Sequence, residues 1–109
     1  MAEVPLTDVL GVGATQDATT VTIQKSSLPG LTPAANNTAE AIFAGILLRA
    51  KAGLPQSSFD TNIDQSIYIA AGFPGFTIRG TDNTSYRVDS LTVSLAKIDT
   101  SAIIDPDDY

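Results

Sequence analysis

A chain of 109 residues, 43% hydrophobic and only 17% charged, has room for one domain with a single core and is too apolar for general disorder. Twelve acidic residues against six basic ones, a net charge of −6, exclude a phosphate backbone or an anionic membrane surface as the direct partner, because no basic patch exists to displace counterions. Cysteine and histidine are both absent, which removes disulfides, thiolate metal sites, the commonest metal ligand and the commonest general base at neutral pH.

In chain order, residues 9–13 form a short apolar piece broken by Gly11 and Gly13, an edge strand or a packed arm. From Asp17 to Lys25, Thr19, Val21, Ile23 and Lys25 alternate with Thr20, Thr22 and Gln24, the period-two, β-branched pattern of a strand. Leu28-Pro29-Gly30-Leu31 fits a type II turn, and Pro33 keeps Thr32 extended.

Asn37 to Gly53 reads as a helix with almost no solvent face. Asn37 and Glu40 form a capping-box-like pair at its start. Arg49 and Lys51 suit the dipole in the last turn, Gly53 is expected as a left-handed cap, and Pro55 prevents continuation. Ala39, Ile42, Phe43, Ile46, Leu47 and Ala50 recur at helical spacing, with Ile42, Phe43, Ile46 and Leu47 the expected core. The other side carries Ala41, Ala44, Gly45, Leu48 and Ala52 where a surface helix has Glu, Lys or Gln. Those five residues are the expected interface with another chain.

Residues 56–65 are a polar loop, and 66–71 a strand with Ile67 and Ile69 on one face and Tyr68 on the other. Gly72-Phe73-Pro74-Gly75 reads as a turn, 76–79 as a strand with Phe76 and Ile78 inward, and 80–84 as a polar turn. The long strand 85–98 changes phase, with Tyr86 and Val88 even and Leu91, Val93 and Leu95 odd; a β-bulge near Asp89 or Ser90 would return both sets to the core face. Asp105-Pro106-Asp107-Asp108 ends an acidic tail. The expected fold is α+β: one helix on a small antiparallel sheet, in the order strand, helix, three-strand meander. A single domain over 1–109 comprises an N-terminal arm (1–16), a core (17–98) and a C-terminal arm (99–109).

No motif carries chemistry. Gly11-Val12-Gly13-Ala14-Thr15-Gln16 opens like a dinucleotide loop, but Gln16 stands where the third glycine belongs and no helix follows. Asp60, Asn62 and Asp64 alternate as calcium ligands do, yet Gln65 and Ala71 replace the glycine and glutamate of a full loop. Ser57, Ser58 and Ser66 have no motif-linked base, and Asp89 beside Arg87 reads as an ion pair at a sheet edge. The acceptor patterns at Asn36 and Asn83 stand in a chain whose first ten residues carry Glu3, Asp8 and no basic stretch, which is not a secretory signal. The longest apolar run, within 39–48, is far short of the ~20 residues of a membrane span, so a soluble chain is expected.

An enzyme is therefore not expected, nor any catalytic residue, metal or cofactor. The two-sided apolar helix, low charge and apolar anchors at 9–12 and 102–104 lead to a structural protein whose partners are copies of itself or other subunits of an assembly. In general character (short, free of cysteine, rich in Thr, Ser and Ala, with strands, one helix and reaching arms) the chain resembles phage virion components such as capsid-decorating, tail-tube or neck proteins. The resemblance implies an assembly role in a virion. The competing expectation is a small peptide- or carbohydrate-binding module presenting Tyr68, Tyr86 and the turns at 72–75 and 80–84.

Overall fold

The computed structural model describes residues 2–99 and 103–109. The fold is α+β, with one long helix and small antiparallel sheets. The helices are α1 (Leu6–Leu10), α2 (Ala39–Gly53) and α3 (Gln56–Thr61). The strands are β1 (Thr15–Gln16), β2 (Val21–Thr22), β3 (Ile67–Ala71), β4 (Gly75–Arg79), β5 (Thr84–Val88) and β6 (Leu91–Leu95).

The central helix forms as its sequence dictates, with changed ends. Thr38, not Asn37, is the N-cap: its Oγ1 accepts a hydrogen bond from the Ala41 N–H at 3.1 Å. Asn37 ties the preceding loop instead, accepting from the Ala34 N–H at 2.9 Å and donating to the Thr32 carbonyl at 3.0 Å. Both residues can cap, and the loop's own unpaired groups claim Asn37. Gly53 is not a left-handed cap. It stays in the helix, and a Cβ there would lie 1.9 Å from the Asp8 carbonyl oxygen, so glycine is required because α1 crosses at that point. The N-terminal segment is thus docked on α2 through α1 rather than extended as an arm.

Of the strand expected over 17–25 only β2 forms, two residues long, and it pairs with β1, which lies before that span, as Thr15–Thr22 and Gln16–Val21. Residues 17–20 are the turn between them, closed by the Asp17 N–H on the Thr20 carbonyl, and a 3-10 turn follows at Lys25–Ser27. Alternation alone does not make a strand where both faces stay in water and no neighbour supplies a ladder. The type II turn forms as expected, with Gly30 at φ +77° and the Leu31 N–H on the Leu28 carbonyl at 3.3 Å.

The C-terminal half is a ribbon rather than a three-strand meander on one sheet. β3 pairs with β6, from Ile67–Leu95 to Ala71–Leu91, and β4 pairs with β5, from Gly75–Val88 to Arg79–Thr84. Between the two ladders lie three residues on one side, 72–74, and two on the other, 89–90. The phase change read at Asp89 and Ser90 is real, but the extra residue sits on the opposite strand. Gly72-Phe73-Pro74 therefore does not reverse the chain; the Gly72 N–H donates to the Ser90 carbonyl at 2.7 Å and the ribbon continues beyond it. Pro74 has no N–H for a ladder, which suits it to the interruption.

The core is small. Ala50, Leu54 and Ile69 are its buried centre, with Val4, Val9, Ile67 and Leu91 packed around them. The Ile69 N–H donates to the Leu54 carbonyl at 2.9 Å, locking β3 to the end of α2. Leu28 and Ala14 are buried beside the 3-10 turn, and among the described residues no large side chain is completely enclosed. The radius of gyration is 16.5 Å, where a compact chain of this length has about 13 Å. The accessible surface is 7961 Å², against about 5,700 Å² for a compact monomer of this mass.

Candidate functional site

The outer stripe of α2 divides. Ala44, Leu48 and Ala52 are exposed and Ala41 is half-buried. Gly45 is buried, and its place in a partner-facing stripe is corrected: a Cβ on Gly45 would lie 3.0 Å from the Leu28 Cβ, so the chain's own loop covers it. A small residue permits close approach without specifying what approaches. Phe43, expected in the core, is instead 60% exposed, while Ile42, Ile46 and Leu47 are half-buried.

The larger uncovered surface lies on the hairpin of β4 and β5. All residues from 71 to 90 are exposed, including Phe73 at 96% and Phe76 at 73%. Its register places Phe76 opposite Arg87 and Tyr86 opposite Thr77, so Phe76 and Ile78 share one face while Tyr86 and Val88 share the other. The expectation that all four point inward is corrected by this pairing. A four-residue loop, Gly80 to Asn83, joins the strands, with Gly80 at φ +84° and Asn83 at +55°. That loop length pairs even positions with odd ones and was the signal in the sequence that the two apolar sets part company. Arg79 stacks on the Tyr86 ring at 5.2 Å, and Arg87 pairs with Asp89 at 2.8 Å on the exposed surface, the ion pair that their spacing implied.

Tyr68 and Tyr86 belong to separate sheets, and Tyr68 packs against Phe59 with ring centroids 4.8 Å apart. An open groove of about 670 Å³ runs between α3, the start of β3 and the 96–98 segment. Several of its polar groups are engaged within the chain. Gln65, buried at 3%, accepts from the Ser58 hydroxyl and donates to the carbonyls of Pro55 and Ile67. Lys97 reaches the Ile103 carbonyl and meets the Asp108 carboxylate at 3.1 Å. That contact folds the described part of the C-terminal segment back, in place of an extended arm; Ala102 of the expected apolar anchor lies outside the described residues.

The acidic residues do not converge. Asp60 ends up within α3, and Asn62 bonds the Ala2 carbonyl through Nδ2 and the Asp64 N–H through Oδ1. Among the described residues, no group of three His, Cys, Asp or Glu is placed to hold a metal ion. Asp17 accepts the N–H groups of Thr19 and Thr20 and both of their hydroxyls, and these bonds lower its pKa from 3.8 to about 2. This is a turn device on the surface. Among the described residues, no helix is long and apolar enough to cross a membrane.

No known protein family matches this chain, and no curated protein or solved structure is detectably similar to it.

Proposed function

We propose that this protein is a structural assembly subunit, completed by copies of itself or by other subunits of a larger particle. The observation that carries the proposal is the surplus of surface. About 2,200 Å² more is exposed than on a compact monomer of this mass. Much of it is apolar: Phe43 and Leu48 on α2, Phe76 and Ile78 on the hairpin, Val93 and Leu95 on β6. Stable permanent interfaces bury 2,000 Å² and more in total, and exposed apolar side chains that gather into large patches mark protein contacts. A capsid-decorating, tail or neck protein of a phage virion is the finer form of the proposal. It rests on the overall character of the sequence alone.

The test is the absolute mass in solution by light scattering, across a dilution series from high to low micromolar. A discrete oligomer that resists dilution is expected. A monomer at every concentration overturns self-assembly and directs the search to foreign subunits.

A further inference from the structure

The hairpin of β4 and β5 is apolar where a hairpin of a monomeric protein is not. One face presents Phe76 and Ile78, at 73% and 66% exposure, and the other Tyr86 and Val88, at 46% and 43%. Solvated antiparallel ribbons alternate, with polar residues on the face that meets water. Full burial of a Phe or Ile side chain is worth about 1.5–3 kcal/mol, so an arm with two such faces gains most when covered on both sides. Among the described residues its sheet has two strands, which leaves both outer edges open. Neither strand contains lysine or proline; each carries one arginine, and these are engaged within the same segment, Arg79 over the Tyr86 ring and Arg87 with Asp89. A two-stranded hairpin is marginal by itself in water.

The hairpin is also set apart from the body. Its strands pack substantially only against each other, and the break of three residues against two at 72–74 and 89–90 ends the ladder that holds β3 to β6. Such a break lets an arm take its direction from what it meets.

We infer that this hairpin is an exchange arm that packs onto a second copy of the chain, each copy giving one arm and receiving another. The inference rests on the assembly reading and specifies its contact. The area favours a second copy as the occupant. An interface of standard size buries about 800 Å² on each partner, and the surplus of about 2,200 Å² is room for two such patches per chain, a donor and a receiver. Apolar receiving surface exists on the same chain, at Phe43 and Leu48 on α2 and at Val93 and Leu95 on β6. An exchanged arm is a common route to closed oligomers.

The test compares the full chain with Phe76→Asp and Val88→Asp, one charge on each face, by light scattering over the same dilution series. Far-UV circular dichroism and thermal melting of each variant report on the body. The inference requires an oligomeric parent and variants that keep the body's fold while associating at least roughly 30-fold more weakly, the loss expected from a central anchor. A parent oligomer unchanged by both charges overturns the arm and leaves the assembly reading standing. A parent that is monomeric throughout overturns the arm and self-assembly together, and leaves foreign subunits as the form of the assembly reading. Should either variant unfold, hydrogen-exchange mass spectrometry on the parent decides. Slow exchange across 75–88 in the oligomer, becoming fast on dilution to monomer, is the expected result. Fast exchange in the oligomer overturns the arm.

Discussion

The helix α2 and the β4–β5 hairpin are both rich in apolar residues, and their circumstances are opposite. α2 is gripped on two sides: α1 crosses over Gly53, and Leu28 presses on Gly45. The hairpin is gripped on none. The difference lies in the side chains that allow approach. α2 offers glycines and alanines, over which a backbone or a leucine can lie flat. The hairpin projects Phe76, Ile78 and Tyr86 from a narrow ribbon, and covering them takes a broad surface that this small body does not have to spare.

Gly53 and Ile69 test the gripped region with the largest effects. Gly53→Ala puts a Cβ where the Asp8 carbonyl lies and should cost about 1–3 kcal/mol or more by displacing α1. Loss of protection at the amides of residues 6–11 in hydrogen exchange would locate the damage. Ile69→Ala removes the most buried large side chain of the body's central cluster and should cost about 2–5 kcal/mol in urea denaturation. Phe76→Ala, on the hairpin, should leave the stability of the isolated chain within about 0.5 kcal/mol of the parent. If Phe76→Ala instead costs as much as Ile69→Ala at concentrations where the chain is monomeric, the two regions are not distinct. Thr38→Ala is expected to cost about 1 kcal/mol through loss of the α2 cap, with Asn37→Ala acting on the 32–37 loop and sparing the helix start.

The smallest expected effect is local. The Asp17 carboxylate is held charged by the Thr19 and Thr20 amides first and their hydroxyls second, so its contribution is complete above the ordinary value of 3.8 and fades as pH falls through about 2. A carboxyl titration followed by NMR should place its midpoint near that value. Asp17→Ala should speed exchange at Thr19 and Thr20 without moving the body's melting temperature.

The helix was legible because its interior keeps one period over fifteen residues, and the period of 3.6 needs no knowledge of the rest of the chain. Its two caps were not, since Thr38 and not Asn37 caps the start and Gly53 stays helical. The turn at Leu28–Leu31 was equally legible, since Pro29 and Gly30 each dictate a backbone angle. The strand over 17–25 was misread because Thr and Val favour extended backbone whether or not a partner strand exists. Within the expected interface, Ala44, Leu48 and Ala52 are exposed while Gly45 is covered by Leu28, and helical spacing cannot distinguish those outcomes. The hairpin's two-faced character was present in the sequence as a loop length between Arg79 and Thr84. It becomes visible once Phe76 is paired with Arg87.

Local sequence by itself determined the α+β composition, the existence and body of α2, the turn at Gly30 and the existence of a phase change near Asp89, because each depends on backbone preferences within a few residues. The tertiary structure decided which strand carries the extra residue, which glycine of α2 lies under which neighbour, and that twenty residues around the hairpin stay uncovered. Those outcomes depend on contacts between segments far apart in the chain. A periodic pattern specifies that a face must be covered, and only packing chooses what covers it.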